Sequence, residues 1–126
     1  MNDVSLRVPA SPAFVHFLRN HAAGLAASCG FTIDAIDDIR LAIDEAAACL
    51  VDRAHETSTF TLEIASADNS LELWISIDHP SHSWPPAGFE FDLAWKVLTG
   101  LCDKVSYEIR NQRPGIYLLK TSGAPG

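Results

Sequence analysis

Residues 37–54 carry the pattern that most constrains the fold of this chain. Glu45, Cys49 and Arg53 follow one another at four-residue steps, which places them along one line of a helix. A carboxylate among alanines, such as Glu45, is typical either of a solvated helix edge or of the floor of a site. The apolar residues recur at steps of three and four, on the face of an α-helix that must be buried: Ile36, Ile39, Ile43, Ala46, Ala47, Leu50 and Ala54.

Composition narrows the function classes. The chain has 126 residues, which predicts a single domain over residues 1–126 that folds without disulfides or a structural metal. Its net charge of −7 argues against direct binding of nucleic acid, because affinity for phosphate backbones comes from clustered Lys and Arg. Cys29, Cys49 and Cys102 match neither a disulfide framework nor a zinc spacing. Since no apolar run approaches membrane-spanning length, we expect a cytoplasmic protein without a membrane partner.

The hydropathy pattern predicts the element order β-α-α-β-β-α-β-β, with turns at 67–70 and 111–115. Single-faced helices must cover a sheet, and hairpins make most of that sheet antiparallel. The fold class is therefore an α/β two-layer sandwich (α+β), with a mostly antiparallel mixed sheet and three helices on one face. The predicted strands are 4–8, 59–64, 71–78, 105–109 and 116–119, and the predicted helices are 11–30, 32–54 and 94–101.

Three residues outside the central helix are candidate partner contacts. His16 and Arg19 lie on the outer face of the first helix, where most residues are merely solvated but where a partner can dock. Trp74 falls on the outward face of the first hairpin, where it is either covered by its neighbours or anchors an interface. His79 and His82 have no third ligand at a metal spacing, so we expect a polar loop and no metal site.

Within this order of elements, residues 38–46 (DIRLAIDEA) resemble the Bergerat-fold (GHKL) ATPase family. The resemblance covers nearly the whole chain. Within the family, the chain more narrowly resembles the bacterial anti-sigma factors that are also serine protein kinases. Residues 95–105 (WKVLTGLCDKV) look most like the divergent actinobacterial members. The resemblance implies the Bergerat, histidine-kinase-like ATPase fold for the whole domain.

The resemblance also implies roles for two residues of the central helix. Active members carry a general-base Glu there, and Glu45 occupies that position. One turn later they carry an Asn that binds Mg²⁺, because side chains at i and i+4 can serve one phosphate–metal centre. Here that position is Cys49, whose thiol suits a hard cation poorly. Asp52 is a candidate replacement oxygen ligand.

The nucleotide-binding motifs that the family carries after the central helix are also altered. Asp78 matches the Asp that reads adenine, but Pro80 and His82 stand where the family has glycines. Proline offers no N–H, and histidine adds bulk where the adenine ring enters. The glycine-rich phosphate turn matches residues 92–94 (Asp-Leu-Ala), where a carboxylate repels phosphate.

The resemblance therefore implies a homodimeric anti-sigma factor that sequesters an RNA polymerase sigma subunit and is released by a STAS-domain anti-anti-sigma protein, with no cofactor expected. Asp34, Asp37 and Asp38 either complement a basic partner or offset the helix dipole. One alternative is an active ATP-dependent protein serine kinase acting on the anti-anti-sigma partner, with Mg-ATP bound if the site is compensated. Another is a sensor with thiol chemistry at Cys49.

Overall fold

The computed structural model describes residues 4–51, 54–80 and 88–125, without the side chains of residues 89 and 90. All strand pairs among these residues are antiparallel, in the order β1-β2-β3-β5-β4. The predicted α+β sandwich is confirmed, and its sheet is antiparallel rather than mixed. The elements are β1 Val4–Pro9, a 3-10 turn Pro12–Phe14, α1 Val15–Ser28, α2 Ile33–Val51, β2 Thr59–Ala67, β3 Ser70–Ile77, α3 Phe89–Leu101, β4 Lys104–Arg110 and β5 Arg113–Thr121.

Side-chain caps fix where the first two helices begin. The Ser11 hydroxyl accepts a hydrogen bond from the Ala13 N–H at 3.4 Å, and the 3-10 turn that starts with Pro12 leads into α1. The Thr32 hydroxyl accepts from the Ala35 N–H at 3.2 Å, so Thr32 caps α2. No helix of the described residues is long and apolar enough to cross a membrane.

Helix α2 packs against the sheet through the predicted apolar face. Ala42, Ala46 and Ala47 are each at most 1% exposed, and such small side chains let the helix backbone lie close to its neighbours. Ile36 is only partly buried, and Ala54 falls beyond the helix. The sheet contributes large apolar side chains to the same core: Phe60, Leu62, Ile64, Leu71, Leu73, Ile75, Ile77, Ile116 and Leu118.

The turn of the last hairpin is shorter than predicted. Its turn consists of Asn111 and Gln112 alone, both at positive φ (52° and 66°), and Pro114 and Gly115 already belong to β5. A two-residue turn with positive φ at both positions matches the twist of the flanking strands. The predicted turn over 111–115 is therefore too long.

The chain beyond Lys120 is held by backbone hydrogen bonds at Ser122. Ser122 is 2% exposed. Its carbonyl accepts from the Thr32 N–H at 2.9 Å, and its own N–H donates to the Asn69 carbonyl at 2.7 Å. Ser122 therefore joins the end of β5 to the start of α2 and to the β2–β3 turn.

The outer face of the sheet, opposite the helices, is covered by its own side chains. Trp74 points outward as predicted, yet it is only 6% exposed, because the Arg110 guanidinium lies 4.2 Å from the centroid of its ring. Gly115 lies under the same ring: a Cβ there would come within 2.8 Å of the Trp74 ring and 2.5 Å of the Ile75 carbonyl oxygen. Of the two alternatives for Trp74, the structure agrees with cover by neighbouring side chains.

We expect Gly115→Ala to lower the free energy of unfolding by about 1–3 kcal/mol, because the added methyl group overpacks against backbone and a buried ring. Gly24→Ala is the matched control. It lies in α1 with no atom within 4 Å of an added Cβ, and should stabilise by about 0.5–1 kcal/mol. Urea unfolding of both variants measures the difference, and equal effects would show that the Trp74–Gly115 contact does not constrain the sheet.

Candidate functional site

Glu45 and Cys49 lie one turn apart on α2, as their spacing predicts. Glu45 is partly buried, Cys49 is 9% exposed, and Ala46 and Ala47 between them are fully buried. The row of α2 side chains at four-residue steps therefore runs from the helix surface at Glu45 into the core at Cys49. Its predicted continuation to Asp52 and Arg53 lies outside the described residues.

Asp78 follows β3 and is held by the first residue of β2. Its carboxylate accepts hydrogen bonds from the Thr59 N–H and, at 3.0 Å, from the Thr59 hydroxyl. Desolvation raises the pKa of the Asp78 carboxyl, but the Thr59 hydrogen bonds and the nearby His79 outweigh it, so the pKa lies below its ordinary value. Both carboxylate oxygens thus close the open end of the β2–β3 hairpin.

The residues that follow Asp78 add further contacts at this end of the hairpin. His79 adopts a positive φ of 49°, and its carbonyl accepts from the buried Ser58 hydroxyl at 2.8 Å. Pro80 is partly buried, whereas His82 lies outside the described residues, so the expectation of a polar loop without a metal site stays a prediction. No group of three or more His, Cys, Asp or Glu side chains in the described ranges is placed to hold a metal ion.

The residues matched to the phosphate turn lie inside a helix. Gly88, at φ 130°, precedes α3, and its carbonyl accepts from the Asp92 N–H at 3.1 Å. Residues 92–94 therefore belong to the early turns of α3, which begins earlier than the predicted residue 94. Asp92 is exposed and Ala94 is buried against the core. The prediction of a turn at 92–94 is wrong, because residues 89–101 are continuous helix.

His16 and Arg19 lie on the side of α1 that faces α2. The Arg19 guanidinium binds both carboxylate oxygens of Asp44, at 2.9 and 3.1 Å, and this pair joins the two helices one residue before Glu45. His16 is exposed and lies in the same shallow groove as Arg19 and Asp44. Arg19 is 35% exposed, so it is both a helix tie and part of the surface.

The structure does not bring Trp74 together with these two residues. His16 and Arg19 belong to the helical layer, whereas Trp74 points away from it on the far face of the sheet. Arg110 and Tyr117 flank this far face, with the Arg110 guanidinium 5.5 Å from the Tyr117 ring centroid. A partner role for Trp74 stays a prediction.

A second polar contact between helices was not predicted from the sequence. Lys120 of β5 donates to the Asp38 carboxylate at 2.8 Å and to the Leu101 carbonyl at 2.7 Å, so it joins α2, α3 and the sheet. Lys120 is 15% exposed. Eighty-two residues separate Lys120 from Asp38, and no local pattern in a sequence signals such a contact. Asp38 is thus engaged within the fold, and Asp37 pairs with Arg40 at 3.3 Å.

Comparison with known proteins gives the site a context. No model of a known protein family matches this chain. A Listeria monocytogenes protein is 32% identical over 80 residues, which is 60% of this chain and 51% of the relative. The chain is similar to serine-protein kinases named RsbW. It spans about half the length of the Listeria RsbW. The RsbW of Halalkalibacterium halodurans is 28% identical over 122 residues, 94% of this chain and 70% of the relative. That of Bacillus thuringiensis is 29% identical over 121 residues, with shares of 94% and 71%.

We expect Asp78→Ala to destabilise the protein by about 1–2 kcal/mol at neutral pH, since two hydrogen bonds to a charged acceptor are lost. The pKa of Asp78 is depressed, so its contribution is present above the ordinary value of 3.8 and is lost as the pH falls through the lowered pKa. Urea unfolding as a function of pH measures this.

Thr59→Val is the matched control for Asp78→Ala, because it removes only the hydroxyl donor and should cost about half as much. A difference between wild type and Asp78→Ala that does not change on acidification would contradict the assignment.

Proposed function

We propose that this chain is an anti-sigma factor of the Bergerat-fold family that acts by binding proteins. It holds an RNA polymerase sigma subunit, and a STAS-domain anti-anti-sigma protein releases that subunit. The observation that carries the proposal is Cys49: a buried thiol stands one turn after Glu45, where an active kinase needs an oxygen ligand for Mg²⁺. The similarity to the RsbW proteins along 94% of the chain supports the family.

The described residues fit Mg-ATP poorly. Cys49 offers a soft ligand where a hard cation needs oxygen. The two carboxylate oxygens of Asp78 accept hydrogen bonds from Thr59, and Pro80 has no N–H to give to a nucleotide. The proposed function therefore contains no nucleotide step and needs no cofactor.

The groove around His16 and Arg19 is the proposed sigma-binding surface. Its lining includes the small side chains Ala47 and Ala48 of α2, and Asp44 orients the Arg19 guanidinium because Nη1 of Arg19 donates to both Asp44 carboxylate oxygens. An oriented guanidinium loses little side-chain entropy when it meets a carboxylate of a partner. We infer a cytoplasmic homodimer that presents this surface.

A serine protein kinase that phosphorylates the anti-anti-sigma protein is the second candidate. The names of the RsbW relatives and the partly buried Glu45 favour it. Incubation with ATP, Mg²⁺ and a STAS-domain protein tests it. Phosphate transfer by the wild type that is lost in Glu45→Gln would favour the kinase over the pure binding module.

We expect Arg19→Asp to weaken binding of a sigma subunit by about tenfold, as for loss of a charge-assisted contact. The doubly substituted Arg19→Asp/Asp44→Arg protein keeps an ion pair between the helices but moves the cation from α1 to α2. It should bind as weakly as Arg19→Asp, because the partner contact needs the cation on α1. Calorimetric titration of a purified sigma subunit from the same genome measures both.

Arg40→Glu is the matched control, since Arg40 is an exposed cation of α2 outside that groove. Full recovery of binding in the charge-swapped protein would contradict a contact between Arg19 and the sigma subunit and leave Arg19 a purely structural role. Absence of sigma binding by the wild type would contradict the proposed function itself.

A further inference from the structure

Strand β1 forms one edge of the sheet, and among the described residues it pairs only with β2. The Ala10 N–H donates to the Ser58 carbonyl at 3.0 Å, which continues the β1–β2 register by one pair. Hydrogen-bonded and non-bonded pairs alternate along an antiparallel ladder. The backbone groups of residues 4, 6 and 8 are therefore directed to β2, and those of Ser5 and Arg7 are directed away from it.

The free edge is short. The Pro9 carbonyl accepts from the Ser11 N–H at 2.9 Å, and proline has no N–H of its own. The outward N–H and C=O groups of Ser5 and Arg7 are thus the part of β1 that another strand can pair with. Proline at the end of an edge strand limits such pairing to a few residues.

A groove runs along this edge between β1 and α1. Leu6 and Val8 line it from the strand, Phe14 from the 3-10 turn, and Phe17 and His21 from α1. Its volume is about 510 Å³. The Phe14 and Phe17 rings stack with centroids 6.0 Å apart, and Phe17 is 49% exposed. The groove offers apolar surface directly beside the free backbone groups.

Two further properties of the groove indicate the chemistry of its occupant. The Nε2 atom of His21 is buried and has no hydrogen-bond partner among the described residues, a state that costs free energy until a partner group is supplied. Arg7 is the charged side chain of β1, and alternation along the strand directs it to the outer face of the sheet; none of the described residues that line the groove is a carboxylate, in a chain whose net charge is −7. The β1 edge therefore offers an apolar groove on the helix side and a cation on the outer face of the sheet.

We propose that the β1–α1 groove, lined by Leu6, Val8, Phe14, Phe17 and His21, binds an extended segment of a partner protein with alternating apolar and acidic residues, which adds to β1 as a sixth strand. Its backbone pairs with Ser5 and Arg7, and its apolar side chains enter the groove. An acidic side chain opposite Arg7 lies on the outer face of the sheet.

This inference does not depend on sigma binding. The proposed sigma surface uses His16 and Arg19 on the side of α1 that faces α2, whereas the β1–α1 groove uses the side that faces β1. Each of the two surfaces can fail its own test without affecting the other. The two tests also use different ligands, so their failures are distinguishable.

The test uses the full chain and fluorescence anisotropy of a labelled peptide, Val-Glu-Val-Glu-Val, blocked at both ends. We expect saturable binding with a Kd below about 1 mM, and at least about tenfold weaker binding of the matched peptide Val-Lys-Val-Lys-Val, because Arg7 repels it. Ser5→Pro removes one outward N–H and leaves the β1–β2 hydrogen bonds in place, so it should weaken binding by about tenfold.

Phe17→Ser and Arg7→Glu test the apolar and charge contributions, each with an expected loss of about tenfold. Ile33→Ser and Arg40→Glu are the matched controls: Ile33 is 77% exposed on α2, and neither residue lines the β1–α1 groove. Both controls should bind the Glu peptide like the wild type. Circular dichroism confirms that each variant is folded.

Three results would overturn the proposal. They are no binding of the Glu peptide, equal binding of the Lys peptide, and full binding by a folded Ser5→Pro variant. If sedimentation shows that the wild type is a dimer, that Ser5→Pro is a monomer and that neither binds the peptide, the occupant of the groove is a second copy of this chain.

Discussion

The burial of helix α2 against the sheet is the contact on which the rest of the molecule depends. Ile39, Ile43 and Leu50 supply apolar area, with each side chain at most 1% exposed. Fully burying such a side chain contributes about 1.5–3 kcal/mol. The alanines between them keep the helix close to the strands and to both neighbouring helices. Two of the candidate sites are positioned by this helix: Glu45 and Cys49 lie on it, and the groove around His16 and Arg19 lies against it.

Two polar ties fix how the other helices sit on α2. Arg19 and Asp44 join α1 to α2, and Lys120 joins α3 and β5 to Asp38. The Arg19–Asp44 pair is more than a third exposed on each side, so it contributes little to stability and mainly sets the orientation of the helices. Such a tie leaves the guanidinium on the surface, where a binding protein can use it.

The sequence predicted the elements well because their patterns are local. The central helix and the alternating strands follow from hydropathy alone, and the caps at Ser11 and Thr32 follow from their residue types. What it could not predict depends on pairs far apart in the chain. Trp74 was correctly placed on the outward face, but its cover comes from Arg110 on another strand.

The candidate sites divide in the same way. The four-residue step between Glu45 and Cys49 follows from helix geometry, so it was predictable. The hydrogen bonds that Thr59 makes to Asp78 depend on strand register, and the β1–α1 groove depends on which backbone groups β2 leaves free. Neither register nor groove is encoded in a short stretch of residues.

We propose that the chain keeps the Bergerat architecture without a working nucleotide site. Thermal unfolding with and without millimolar Mg-ATP tests it most directly. A ligand at about a hundred times its Kd adds roughly 2.7 kcal/mol, which raises the Tm of a domain this size by several degrees. We expect the same Tm in both conditions. A rise of several degrees that depends on Mg²⁺ would contradict it, because Cys49 and Asp78 would then belong to a functional nucleotide site.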